Sequence, residues 1–511
     1  MRSDLLLTVF FSIIFNHHRI IIEYTSFVTI PEPLKQHSND EEEHLRMRAR
    51  FENLWDSFRT SFWFVPTIMS LMAILLAFGT NQLDSMLITS DHSLTWFSTT
   101  AHAARSTLSS VAGATIALAG VVFSITILSL SIASSQYGSR LVRNVMGASI
   151  ADLVIGQYVG TSLYCMLVLQ NVREAHGDSP AFTPQVGTAV GLILGLISMG
   201  MLIWFIHHVA TAIQAPTIIT EVSRDLEEAI NRLFPERMQE EAQNKADVEQ
   251  PEDLKRQTFK EILSGVGKNN VTVPSEQEGY IEGIDGGSLI SLATELNGVV
   301  ELLCKPGDYI TKERLLARVW FQDPTETEEE REEQATSVTN TIHRVIIIGS
   351  RRTPRQDVSY AALELVEIAV RALSPGINDP FTAMNCVDRL GGAMGRFVER
   401  ARPAQIQRDS ESVPRVLVTS ADDFAEVLTC SFGMIREYGA SSTAVALKML
   451  EALSGIASHA SRPEDLKVIR EEAEALQNAF EDHHTIQADR NKFQRALHHL
   501  KEILEPGLPS K

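Results

Sequence analysis

Leu108-Ser-Ser-Val-Ala-Gly-Ala-Thr-Ile-Ala-Leu-Ala-Gly-Val-Val-Phe-Ser-Ile-Thr-Ile-Leu-Ser-Leu-Ser-Ile132 contains no ionisable side chain, and Arg140 and Arg143 follow it as a cationic stop. A helix needs about 20 apolar residues to cross a bilayer, so this run is long enough to span. Three more stretches qualify, placing spans at about 62–83, 108–133, 150–170 and 186–210. The expected fold class is a membrane α-helical domain of four transmembrane helices. A cytoplasmic α+β region follows, with a small β barrel-sandwich-like domain and then a C-terminal helical domain.

The flanks support these spans. Trp55, Phe58, Phe62, Trp63 and Phe64 open the first as an aromatic belt, and Trp204, His207 and His208 close the fourth. The third is the least apolar, carrying Gln157, Tyr158 and Thr161. Arg46, Arg48, Arg50 and Arg59 precede the first span, whereas the loops on the other side offer only Arg105 and Arg173. The positive-inside rule then puts both termini, and everything after residue 210, in the cytoplasm of a cell whose inner membrane holds the spans.

Composition narrows the partners. The 511 residues include 45 Lys and Arg against 64 Asp and Glu, a formal charge of -19, with most of the acidity outside residues 62–213. Phosphate backbones demand basic patches, so nucleic acid is excluded. Cys165, Cys304, Cys386 and Cys430 lie far apart, which gives neither a disulfide framework nor a metal spacing. No metal and no cofactor is expected. Residues 1–46 read as an unstructured extension, with Met47 as an alternative beginning; Leu5 to Phe15 is too short to span.

The second span repays attention for its hydroxyls. Ser124, Ser131 and Ser135 follow a seven-plus-four spacing and share one face. Small and hydroxyl residues suit close helix packing, with Gly113 and Gly120 easing approach and hydroxyls returning to the i−4 carbonyl. The other reading is that this face lines an aqueous path when several copies assemble.

After the 47–215 membrane domain, residues 216–260 read as an amphipathic helix, with Val222, Leu226, Ile230 and Leu233 on one face, and then a charged linker. Between 261 and 325 the pattern becomes short β-like runs, including Val271-Thr-Val273, Gly279-Tyr-Ile281, Leu289-Ile-Ser-Leu292 and Leu315-Leu316, punctuated by Asn297-Gly298 and Pro306-Gly-Asp308. Its two halves resemble a biotinyl/lipoyl-like barrel-sandwich domain, but the Met-Lys-Met hairpin of such carriers is missing, which implies a structural adaptor. Residues 326–420 form an α/β connecting region and 421–511 a helical domain. The acidic run Glu326 to Glu333 reads as a solvated loop or helix start, and nothing spaces its carboxylates for a divalent cation. His483-His484 and His498-His499 point in different directions on their helices, which argues against metal.

Two motifs stand out in the connecting region. A strand at Val345 to Ile348 runs into a turn with Arg351, Arg352 and Arg355, a candidate contact for an anion or a protein. In Leu373-Ser-Pro-Gly-Ile-Asn-Asp-Pro380, one helix stops at Pro375-Gly376; Asp379 then caps the next, with Pro380 at its first position. Capping leaves Ser374 and Asn378 unexplained, and these join Asp379 as candidate contact residues.

Taken with Ala133-Ser-Ser-Gln-Tyr-Gly-Ser-Arg140, these motifs resemble a bacterial family of predicted membrane proteins catalogued as a domain of unknown function. The likeness covers about residues 55–500. It implies a multi-span inner-membrane protein with a cytoplasmic tail and no assigned activity. No nucleophile elbow, phosphate loop, His-Glu-x-x-His or dinucleotide fingerprint nominates an enzyme. The leading expectation is a homo-oligomeric pore or transport protein with a cytoplasmic vestibule. The alternative is a membrane-anchored scaffold or sensor whose tail binds a cytosolic protein or small anion.

Overall fold

A computed structural model describes residues 63–89, 100–138, 148–173, 182–234, 252–266, 269–321, 328–419, 422–483 and 486–505. The N-terminal extension, the basic residues before the first span, Arg140, Arg143, most of the charged linker and His484 lie outside the described residues.

Four helices are long and apolar enough to cross a bilayer: α1 (Phe64–Thr89), α2 (Ala101–Tyr137), α3 (Ala148–Leu169) and α4 (Gln185–Ala212). They coincide with the four expected segments, and α2 runs on at both ends. At 1.5 Å per residue α2 is about 55 Å long, well beyond the hydrocarbon thickness of about 30 Å. The third span is weakly apolar because α3 is the most enclosed of the four. Its polar groups bond inside the bundle: Gln157 Nε2 donates to Thr161 Oγ1 at 3.2 Å, and Tyr158 Oη donates to the Ser198 carbonyl at 3.1 Å. Away from water such groups must find partners within the protein.

Beyond α4 the chain turns through Ile213 and Gln214 into α5 (Ala215–Leu233), with Pro216 in its first turn. Then come α6 (Glu252–Val266), β1 (Asn269–Pro274), β2 (Gly279–Ile284), α7 (Gly286–Glu295), β3 (Val299–Leu302), β4 (Tyr309–Ile310) and β5 (Leu315–Phe321). Next are α8 (Glu328–Val345), β6 (Ile346–Gly349), α9 (Val358–Ala372), α10 (Pro380–Glu399), β7 (Ile406–Arg408) and β8 (Pro414–Val418). The chain closes with α11 (Phe424–Gly439), α12 (Thr443–His459), α13 (Pro463–His483) and α14 (Gln487–Leu504).

One β expectation is corrected. Leu289 to Leu292 lies in helix α7, because Asp285 accepts from Ser288 N at 3.2 Å as its cap while Leu289, Leu292 and Ala293 turn one apolar face inward. Nor do the strands of 261–325 pair only among themselves. One sheet has the order β1-β5-β3-β8-β7 and the other β4-β2-β6, so β6, β7 and β8 come from the segment expected to be a connector. Gly279 and Tyr280 do pair with Ile310 and Tyr309, which joins the two motif halves read in the sequence.

The helices of the connector belong elsewhere. α9 and α10 pack with α5 and α11 to α14 into one apolar core, and Ala133 and Tyr137 at the end of α2 are buried within that core. The membrane bundle and the helical tail therefore share packing at the foot of α2.

Candidate functional site

Ser124, Ser131 and Ser135 are all exposed in the single chain, whereas Ala112, Thr115, Ala119, Val122, Ser129 and Ala133 on other faces of α2 are buried. The Ser124 hydroxyl donates to the Gly120 carbonyl at 2.9 Å and the Ser135 hydroxyl to the Ile132 carbonyl at 2.8 Å. The hydroxyl face thus points away from the chain's own bundle.

At the foot of α2 the tail grips the helix end. Arg371, in the last turn of α9, donates through Nη1 to the Ser135 carbonyl at 2.9 Å and the Ser134 carbonyl at 3.4 Å. The Ser135 carbonyl is among those that a helix C-terminus leaves without an intrahelical partner, while the Ser134 carbonyl also accepts from Gly138 N at 3.3 Å. Gly138 then turns with φ 100°, and a side chain there would collide with the Glu367 carboxylate. Tyr137 Oη donates to the Ile213 carbonyl at 3.1 Å, tying the end of the second span to the end of the fourth. At the opposite end of the bundle, Asp84 accepts from Val186 N at 2.8 Å and Gly187 N at 2.9 Å, which caps α4 from a different helix.

The arginine turn does not gather its three side chains on one point. Arg352 is spent on Asp357, with Nε to Oδ2 at 2.7 Å and Nη2 to Oδ1 at 2.9 Å, while Arg351 and Arg355 are exposed. Asp357 also caps α9 by accepting from Tyr360 N at 2.8 Å. Burial pushes its carboxyl above the ordinary range, against the pull of the Arg352 guanidinium. Gln356 bridges to the sheet, accepting from Ile284 N at 2.8 Å and donating to its carbonyl at 3.2 Å. On the same side Lys305 Nζ donates to Asp422 at 3.0 Å and to Glu426 at 2.7 Å. The turn and the Lys305-Pro-Gly-Asp308 loop lock the strand-rich part to the helical part.

The Ser-Pro-Gly-Ile-Asn-Asp-Pro break resolves in the same way. Asp379 accepts from Phe381 N at 3.1 Å, Thr382 N at 3.2 Å and the Thr382 hydroxyl at 2.7 Å. The Ser374 hydroxyl donates to the Arg371 carbonyl at 2.6 Å and the Ser374 carbonyl accepts from Asn378 N at 2.9 Å. Asn378 adopts φ 52°, a left-handed conformation that asparagine tolerates better than most residues. Ser374 and Asn378 thus have structural roles in the turn.

Sequence reading missed Asp84, Tyr137 and Arg371. Asp84 lies just beyond the first expected span, and an acid so close to an apolar run is a signal in its own right. Arg371 reads as one charge on an amphipathic helix, paired locally with Glu367 at 3.7 Å, and no local pattern reveals that its backbone partners sit more than 230 residues away.

Among the described residues no cluster of three or more His, Cys, Asp or Glu could hold a metal ion. His498 and His499 both lean on Glu502, at 3.4 and 3.9 Å. Burial pushes the Cys304 and Cys430 thiols up to about 12, which disfavours the nucleophilic thiolate.

The family model described as Predicted membrane protein (DUF2254) matches residues 59–455. The chain is 27% identical over 465 residues to the uncharacterised protein Rv1290c of Mycobacterium tuberculosis, an alignment covering 90% of this chain and 84% of that one. Identity and coverage are the same for the uncharacterised protein Mb1321c of Mycobacterium bovis. No solved structure matches.

Proposed function

The chain belongs to the Predicted membrane protein (DUF2254) family, and from that premise we propose that it works as a homo-oligomeric pore or transport protein of the inner membrane. The hydroxyl face of α2 would line the path between copies, and the tail, with both chain termini, would lie in the cytoplasm as a vestibule. The observation that carries this reading is the outward position of Ser124, Ser131 and Ser135, a polar stripe on the most extended apolar helix of the chain. Continuity of α2 with the tail's core supports coupling between tail and path, because a displacement of α9 would bear directly on the foot of α2. The strand-rich part serves here as a structural adaptor, in keeping with the barrel-sandwich likeness of 261–325. The proposal assigns no catalysis to the chain.

The test is solute flux into liposomes carrying the full chain, compared with Ser124→Leu, Ser131→Leu and Ser135→Leu combined. The expected result is flux in the parent and its loss in the triple variant. Absent flux in the parent, or equal flux in both, overturns the reading.

The exposure of Arg351 and Arg355 favours a second reading, a membrane-anchored scaffold or sensor whose tail binds an acidic protein or small anion. Capture of a cytosolic protein by the full chain, abolished by Arg351→Ala with Arg355→Ala, would select it. Equal recovery from both would reject it.

A further inference from the structure

The link between α9 and α10 is firmly built and yet presents apolar side chains outward. Ile377 is 45% exposed and Phe381, in the first turn of α10, is 76% exposed. The polar groups beside them are already engaged within the link, Ser374 with Arg371 and Asp379 with Phe381 and Thr382. Tyr438, in the last turn of α11, is 48% exposed on the same rim, since the adjoining Gly439 lies against Leu373.

Two rulers fix the depth of this rim. Arg371, just before the link, reaches the carbonyls of Ser134 and Ser135, within one turn of the end of the uncharged run of α2. Independently, Arg389 bonds to Thr220, Arg396 to Glu227 and Arg400 to Asn231, a constant offset of 169 residues between α10 and α5. Helices in step like this run parallel. Carried back to the first residue of α5, the same offset sets Met384 level with Ala215, so Phe381, about one turn earlier in α10, lies toward the Ile213–Gln214 turn that follows α4. Both rulers put the link near the ends of α2 and α4, the two longest of the four apolar helices.

We propose that Ser374–Phe381 is a lipid-contact site, lying at the boundary of headgroups and acyl chains with Ile377 and Phe381 inserted among the outermost acyl carbons. Aromatic side chains favour that layer, and an apolar surface wetted on a soluble loop is relieved there. Asp379 keeps its hydrogen bonds there because its oxygens face the cap, and the Arg371 guanidinium sits at the depth of the lipid phosphates. This inference does not depend on α2 lining a path.

The experiment uses the full chain in nanodiscs of phosphatidylethanolamine and phosphatidylglycerol, one chain per disc. A nitroxide is attached at Ile377→Cys, at Phe381→Cys, or at Ser458→Cys as a control. Ser458 is exposed at the far end of α12, beside His459, which contacts Glu399 at the far end of α10. Cys165, Cys304 and Cys386 are buried and Cys430 is half-buried, so the parent chain gives the background. Residues 377 and 381 should be relaxed several-fold more by oxygen, which partitions into lipid, than by a water-soluble nickel chelate, with the order reversed at 458. As a second measure, the fluorescence gained in Phe381→Trp should be quenched by bromines on shallow acyl carbons more than by bromines at the chain ends. Preferential relaxation by nickel at 381 in single-chain discs overturns the proposal. So does an oxygen preference seen only in crowded vesicles alongside dipolar broadening between labels, which would assign the rim to a second copy.

Discussion

Arg371 donates to the backbone carbonyl of Ser135 across 2.9 Å, so that a side chain of the tail caps the end of the second membrane helix. The bond joins two regions that the sequence presents as separate domains. It ties α9 to α2, and Tyr137, bonded to the Ile213 carbonyl, extends the same tie to α4.

Replacing this arginine should loosen the join. Arg371→Gln leaves the Ser134 and Ser135 carbonyls short of a charged donor, a loss of about 1–2 kcal/mol. Arg371→Lys should fall between parent and Gln. Thermal unfolding in detergent measures it, and a cycle with Tyr137→Phe should show coupling between the two ties.

Asp84 should matter as a cap rather than as a charge in transit. Asp84→Ala removes both acceptors for Val186 N and Gly187 N and should cost about 2 kcal/mol. Asp84→Asn keeps one oxygen acceptor and should recover roughly half of that loss. Equal melting temperatures for the two variants would argue against the cap.

Two glycines in prominent turns should respond very differently to the same change. Gly307 has φ 88°, and a side chain there would overlap the Asp357 carboxylate and crowd Arg352. Gly307→Ala should therefore destabilise the chain by about 2 kcal/mol or more. Gly376, in the motif that looks more distinctive, has open space around it, and Gly376→Ala should stay within about 0.5 kcal/mol. Paired melts of the two variants check the contrast.

The Asp379 cap should fail in acid. Its hydrogen bond from the Thr382 hydroxyl, opposed by burial and aided by the backbone donors, holds the carboxyl below its ordinary value of 3.8. A depressed carboxylate contributes fully above the unfolded value and loses that contribution as pH falls through the folded one. The melting-temperature gap between parent and Asp379→Ala, worth about 1 kcal/mol at neutral pH, should accordingly close below pH 3.8. A gap that persists unchanged in stronger acid would contradict this.

Local chemistry made part of this molecule legible in advance. Span positions follow from uninterrupted apolar length, and the break at Pro375 with restart at Asp379 follows from residues whose backbone preferences act within a single turn. The hydroxyl spacing of α2 was equally readable, because helical periodicity alone puts Ser124, Ser131 and Ser135 on one face. What that face meets was not, since side-chain spacing says nothing about which side of a helix its neighbours occupy.

Sequence by itself determined the four apolar helices, the helical tail and the turn chemistry, because each rests on interactions among residues a few positions apart. Only the tertiary structure decided that Leu289 to Leu292 is helical, that β6, β7 and β8 complete sheets begun elsewhere, and that Arg352 belongs to Asp357. It also decided that the foot of α2 is buried in the tail's core. The sheet completions and the buried foot of α2 depend on apolar burial and hydrogen-bond satisfaction between segments tens to hundreds of residues apart. Even the local Arg352–Asp357 pair is one of several that composition offers and packing selects.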